Sequence, residues 1–290
     1  FRLIKISMIS IIIPTYNNLE YLKFTIDSIK KNSSFNKFEI LLHINEGSDG
    51  TLGYAKQNNF RYTYSKTNIG LCSSINQICK ISNYDYLLYS HDDMYFCPNW
   101  DEVLINEIKL LKDNLFYLSA TMIEVNSAHI SYDCGLNLSE FDEVKLLKNY
   151  QELKFYDHQG SHFAPHLVHK RIWEKVGGFS EEFNPGMGSD PDFNMKLWKE
   201  GVRIFKGINK FRVYHFSSIT TRKKVGILKN KGDLTFLKKW GFSIKFFKKY
   251  FLRSKSIFKG PLTEPKTNIK YYFDLFFCKL KIFYIKFLNQ

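Results

Sequence analysis

Three features of the sequence predict an α/β fold on a mostly parallel sheet. Short apolar runs alternate with amphipathic helical stretches through the first 115 residues. The runs are apolar at nearly every position rather than every second one, as in strands buried on both faces. Polar loops follow the second and fourth runs, at the strand ends where such sheets bind ligands.

The elements follow in order. "MISIII" (8–13) is a β-branched strand, closed by "PTYNN". "LEYLKFTIDSIKKN" (19–32) sets Leu19, Leu22, Ile26 and Ile29 at helical spacing. "FEILLHI" (38–44) is a second strand, "GYAKQNN" (53–59) a short helix and "FRYTYS" (60–65) a third strand. "LCSSINQICKI" (71–81) puts Leu71, Ile75, Ile78 and Cys79 on one helix face. "YDYLLYS" (84–90) is the fourth strand, "WDEVLINEIKLLKDN" (100–114) a helix and "LFYLSATMIEV" (115–125) a further strand. Residues 126–160 carry no clear period. Residues 166–179 read as strand, short helix and a stop at Gly177–Gly178. "GSDPDFNMKLWKEG" (188–201) is a helix, and 202–207 and 211–216 are two short strands. The tail offers helices at 233–251 and 268–288, parted by "KGPLTEP".

The chain has 290 residues, 44% of them hydrophobic, enough for one large core. Its five cysteines are odd in number and form no CxxC pair, which favours a reducing compartment over a disulfide or zinc framework. The apolar start is too short for a secretory leader, Met8 could be the true start with 1–7 an extension, and no run reaches the ~20 apolar residues of a membrane span. These readings place the chain in the cytoplasm. Charge is uneven: residues 1–221 hold 24 basic and 25 acidic residues, whereas 222–290 hold 18 and 3.

Seven stretches come in the order seen in one family. They are "SIIIPTYNN", "NEGSDGT", "NIGLCSSIN", "HDDMYFCPNW", "KRIWEKVGGFSEEF", "GSDPDFNMKLWKEG" and "VYHFSS". Over about 8–220 the chain resembles the family 2 inverting glycosyltransferases of GT-A fold. The resemblance implies a catalytic domain over 1–221, with a nucleotide-binding half near 8–115 and an acceptor half near 116–221. It implies transfer of a sugar from a nucleotide-diphosphate sugar, most simply a UDP-sugar, to a hydroxyl of a glycan or lipid-linked acceptor, with Mn²⁺ or Mg²⁺ as cofactor.

It also assigns residues. Pro14, Thr15, Tyr16, Asn45, Glu46, Asn68, Gly70, Asn76 and Asp92 fall at nucleotide-sugar positions. Asp93 falls at the metal position, with His91 and His215 as further ligands. Asp190 falls at the general base, with Asp192 supporting it or meeting the acceptor. Chemistry asks for the same residue types, since a diphosphate leaves well when its charge is neutralised and a hydroxyl attacks best beside a carboxylate. Simpler roles stand beside these. Asp92 and Asp93 could shape a turn or cap the helix at Trp100. Asp190 before Pro191 also looks like an N-cap and first helical position, and Asp192 suits a helix dipole. His215 could be structural, and the spacing of His162, His166 and His169 makes no zinc motif. The chain departs from the family pattern at His91, at Asn45 and Glu46, at Ile75 and at Ser189. Those departures keep open a non-catalytic glycan- or lipid-binding protein of the same fold. A nucleotidyltransferase would need a Gly- and Lys-rich triphosphate loop, which "PTYNN" is not.

The basic, aromatic tail admits three readings: a helix pair on an anionic membrane surface, plain packing with a solvated lysine face, or a nucleic-acid patch. The first suits a lipid-linked acceptor, and no nucleic-acid partner is expected. "FLKKWG" also recurs in related transferases, where it could complete the fold.

Overall fold

The protein is described here by a computed structural model covering residues 8–126, 129–160, 163–216 and 225–288. The proposed extension 1–7, His162, residues 217–218 of "VYHFSS" and the 221/222 boundary lie outside the described residues.

The first half follows the alternation. Strand β1 (Ile9–Tyr16) is followed by α1 (Leu19–Lys31), β2 (Phe38–Asn45), α2 (Thr51–Gln57), β3 (Arg61–Ser65), α3 (Leu71–Lys80) and β4 (Tyr86–Tyr89). β1 pairs in parallel with β2 and with β4, so Ile11 lies between Ile40 and Leu88. Every β1 residue through Thr15 is buried, which explains why this run does not alternate. The register sets Tyr16 beside Asn45, and Asn45 beside Ser65. The polar loops therefore leave the sheet at one edge.

The second half departs from simple alternation. β5 (Met94–Phe96) precedes α4 (Trp100–Leu110), and β6 (Phe116–Glu124) follows. The unassigned interval holds β7 (Ile130–Ser131), α5 (Glu143–Asn149) and β8 (His158–Gln159). Asp142 caps α5 by accepting from Lys145 N at 2.8 Å. β9 (His166–His169) leads into α6 (Lys170–Lys175), α7 (Ser189–Lys199) and β10 (Ile204–His215). Among the described residues the sheet has ten strands, ordered β3-β2-β1-β4-β9-β6-β10-β5, with β7 on β6 and β8 on β10. β9 runs antiparallel between β4 and β6, and β5 antiparallel along β10.

Two expected short strands at 202–207 and 211–216 are one strand. β10 carries an irregularity between Ile208 and Arg212, where its register against β6 shifts. Arg212 fills that kink, donating to Asn209 O and Leu153 O, both at 2.8 Å, and to Tyr150 O. The polar "NK" at 209–210, which parted the two expected strands, lies within this irregularity.

The tail is α8 (Val225–Trp240), α9 (Ile244–Tyr250) and α10 (Ile269–Leu288). The helix expected at 233–251 breaks at Gly241, whose φ is +80°, and restarts where the Ser243 hydroxyl accepts from Phe246 N. Phe236, Phe247, Leu252 and Leu262 join the main core. Phe236 and Phe247 are fully buried, each worth about 1.5–3 kcal/mol against exposure. The tail's first two helices thus complete the fold. All five cysteines are free and buried, and no described helix is long and apolar enough to cross a membrane.

Candidate active site

The antiparallel pairing of β5 with β10 puts His215 opposite Met94, one residue from Asp93. Asp93 is 5% exposed, and its Oδ1 lies 3.3 Å from His215 Nε2 and 3.9 Å from His91 Nδ1. The ligand atoms of His91, Asp93 and His215 all lie within 4.8 Å of one another. Glu124, the last residue of β6, accepts from the other ring nitrogen of His215 at 2.6 Å. Burial pushes the His215 pKa down, but Asp93 and Glu124 outweigh it and raise the value to about 10. Burial instead lowers His91 to about 4, with Asp93 opposing. Two imidazoles and a carboxylate, one imidazole oriented by a second carboxylate, make a set of donors for a borderline divalent cation. Among the described residues this is the cluster of that kind.

Asp92 and Asp93 sit in a bend and have different surroundings. Burial and the Asp93 charge raise Asp92 to about 7, while the Thr15 and Asn18 side chains favour its ionised form. Neither aspartate caps the Trp100 helix, whose flanking residue is Asn99 at φ +65°.

The second-strand loop is held from within. Asn45 is 4% exposed and donates to Thr15 O at 3.4 Å and to Ser74 Oγ at 3.0 Å. Its Oδ1 accepts from Ser65 Oγ and Ile69 N, both at 3.0 Å. That spends the amide inside the protein, at a position the resemblance assigns to the nucleotide-sugar. Glu46, at φ +59°, is the half-exposed member of the pair and accepts from Asn17 Nδ2 at 3.2 Å. Asp49 accepts from Leu19 N and Thr51 N, tying the loop to both helix starts. Pro14 lies within β1 opposite His43, and Tyr16 is half exposed at its end.

Three positions of the "NIGLCSSIN" stretch hold chain to chain. Asn68 Oδ1 accepts from Gly70 N at 2.9 Å. Gly70, at φ +86°, passes so close to Asn184 that a Cβ would lie 2.4 Å from its Oδ1. Asn76 is bound on both sides, donating to Phe179 O at 2.8 Å and accepting from Phe179 N at 2.9 Å.

Asp190 and Asp192 have opposite fates. The residue flanking α7 is Gly188 at φ +87°, so Asp190 lies inside the first turn and is not the N-cap. Its Oδ1 is buried with no hydrogen-bond partner among the described residues. Burial raises its pKa to about 7, opposed by the Lys248 charge from α9. Asp192 is fully buried and saturated: it accepts from Ser180 Oγ at 2.6 Å and Trp240 Nε1 at 2.8 Å, with Lys239 Nζ at 2.9 Å. Buried Tyr89, at the end of β4, sets its ring edge-on to His91 with centroids 5.6 Å apart. Burial first, then Asp190, Asp92 and Asp93 among nearby charges, push its hydroxyl pKa well above the usual phenol value.

Sequence reasoning missed Glu124, Tyr89, Lys239, Trp240 and Lys248. Glu124 had a signal, a lone carboxylate closing the apolar run "FYLSATMI". The tail residues had none beyond "FLKKWG", because their partners lie far off in sequence.

Comparison with known proteins fits this geometry. The profile described as "Glycosyl transferase family 2" matches residues 10–167. Hyaluronan synthase of Pasteurella multocida is 29% identical over 233 residues, 78% of this chain and 22% of that one. An uncharacterized glycosyltransferase of Rickettsia typhi is 33% identical over 205 residues, 68% of this chain and 59% of that one. The chain therefore spans from about a fifth to under two thirds of these relatives. The crystal structure of Staphylococcus aureus TarS 1–349 with UDP superposes with a TM-score of 0.54 at 15% identity, covering 83% of this chain and 74% of that one. GalNAc-T7 with UDP, GalNAc and Mn²⁺ gives 0.56 at 16% identity, covering 73% and 44%. At those identities the likeness is of fold, which is GT-A. On the profile match across more than half its length, this chain belongs to glycosyl transferase family 2.

Proposed function

We propose that the chain transfers a sugar, with inversion, from a nucleotide-diphosphate sugar to a hydroxyl of a glycan or lipid-linked acceptor. The observation that carries this is a pairing of features: a buried Asp190 oxygen with no hydrogen-bond partner among the described residues, and the His91–Asp93–His215 cluster, with Tyr89 near the charges of both. A pKa of about 7 leaves Asp190 balanced between base and acid at neutral pH. The acceptor oxygen attacks the anomeric carbon, its proton passes to Asp190, and the bond to the diphosphate oxygen breaks. Asp92 and Glu46 face the donor, Asp92 toward the ribose. Asp192 holds helix α7 in place rather than meeting substrate.

The donor cluster fits a divalent ion. Two imidazoles favour Mn²⁺ over Mg²⁺, which prefers oxygen ligands. Asp93, His91 and His215 would hold such an ion, which would supply charge neutralisation at the leaving diphosphate. UDP is the favoured nucleotide, because relatives of this fold were solved with it. The basic tail would keep the enzyme at an anionic membrane surface on the cytoplasmic side, within reach of a lipid-linked acceptor.

The test is a panel of nucleotide-sugars with Mn²⁺, Mg²⁺ or chelator, following nucleotide diphosphate release and the anomeric configuration of the product by NMR. Release with inversion is expected. No release from any donor, with nucleotide binding unchanged by Asp93→Ala, would overturn the reading.

A further inference from the structure

Helix α10 is apolar on two faces. Tyr271, Leu275, Cys278, Ile282 and Ile285 pack inward on α8 and α9. Outward stand Ile269, Tyr272, Phe273, Phe276, Phe277, Leu280, Phe283 and Tyr284, which are 44% to 90% exposed. At about 100° per residue these eight fall in one sector of about 140°. An apolar stripe of that length exceeds the scattered exposed side chains normal for a protein surface.

Charge decides what covers it. On the same wheel Lys270 and Lys281 border the stripe on one side and Lys279 borders it on the other, all three exposed. The one acidic residue of the helix, Asp274, faces inward and accepts from Lys249 and Tyr250. A second copy laid on this face would bring lysine rows against lysine rows. An anionic lipid interface meets both features at once: the rings enter the acyl boundary and the lysines reach up to phosphates. The helix is too charged to span, so it would lie in the plane.

We propose that the outer face of α10 docks the enzyme on anionic bilayers, lying flat with Phe273, Phe276 and Phe283 immersed. An open cleft of about 550 Å³ beside it is lined by Lys245, Lys249 and Lys281 together with Asp233 and Asp274, and Lys249 is already paired with Asp274, so the lysines bordering the stripe carry the contact with headgroups. Position gives the contact its purpose. α10 packs on α9, and α9 packs on α7, which carries Asp190. The bilayer is thus two helices from the candidate base, as a lipid-linked acceptor requires. This inference rests on the transferase reading for its purpose, though not for its physics.

The experiment is vesicle flotation of the full chain, with phosphatidylcholine alone or with about 30 mol % phosphatidylglycerol, at low and high salt. Expected is partition onto the anionic vesicles, weakened by salt, and at least ~10-fold weaker for Phe273→Ser/Phe276→Ser/Phe283→Ser and for Lys270→Glu/Lys279→Glu/Lys281→Glu. Far-UV circular dichroism on each variant reports that the fold is kept. No flotation by the wild type, or flotation that neither variant reduces, overturns the proposal. So does a wild-type oligomer that the Phe variant turns into a monomer while neither floats, since a second copy then covers the face. Donor hydrolysis is read in the same preparations without vesicles. Lost docking with kept hydrolysis sinks the surface alone, and docking without hydrolysis sinks the transferase reading alone.

Discussion

Trp240 donates its indole N–H to Asp192 Oδ1 at 2.8 Å, across 48 residues of sequence. Lys239 reaches the same oxygen at 2.9 Å, and Glu182 at 2.7 Å. Helix α8 is therefore clamped to helix α7 beneath Asp190. Gly232 tightens the clamp, since a Cβ there would lie 2.1 Å from Met187 O.

The clamp predicts a stability cost. Trp240→Phe leaves a buried carboxylate short of a donor and should cost about 1–3 kcal/mol. Lys239→Met, which removes the counter-charge, should cost as much or more. Urea unfolding midpoints measure both. A Trp240→Phe midpoint equal to wild type would show that the clamp carries no stability.

The pH dependence of the reaction follows from Asp190. A base must be ionised to accept a proton, so its raised pKa puts the loss of rate on the acid side. The log of kcat/KM should fall by one per pH unit below about 7 and level off above it. Asp190→Asn should remove that limb and lower kcat about 10²–10⁴-fold with nucleotide affinity kept. An unchanged acid limb in the variant would assign it to another group.

Metal dependence should follow the cluster. In calorimetric titrations of UDP, the affinity gained by adding Mn²⁺ should vanish in Asp93→Ala and His215→Ala. Glu124→Gln, which keeps the shape but loses the charge that orients His215, should reduce that gain about 10–100-fold. A full gain in Asp93→Ala would place the ion elsewhere.

Asn45 and Glu46 should separate stability from binding. Asn45→Ala takes the acceptor from the Ile69 amide and one partner each from the Ser65 and Ser74 hydroxyls, which keep Thr67 O and Gly70 O, so its melting temperature should drop with about 1–3 kcal/mol lost. Glu46→Ala, at a half-exposed position, should leave melting near wild type and weaken UDP instead. Thermal scans and titrations on both variants decide, and the reverse pattern would return the base contact to Asn45.

The strand–helix alternation was legible in sequence because each run and each amphipathic period is local. So was the place of Asp93 in the loop after β4, which motif order located. What escaped depended on distant partners. β5 has three residues, and its pairing with Val213–His215 is invisible from "MYF". Asn45 looked available until Ser65, Ile69 and Ser74 were seen around it. Asp190 looked like a cap because Asp-Pro often is one, but Gly188 flanks the helix instead. Trp240 was one aromatic among many in a basic tail, and nothing nearby announced a carboxylate waiting for it.

The irregularity in β10 also governs parity. Side chains of a strand alternate between two faces, so the shift between Ile208 and Arg212 decides which face His215 occupies when it meets Asp93. Deleting one residue from Ile204–His215 would keep the hydrophobic content and much of the pairing, yet it would turn the imidazole to the far side of the sheet. A count of residues between Glu124 and His215 would miss this, because what sets the imidazole is the register of this one strand against β6.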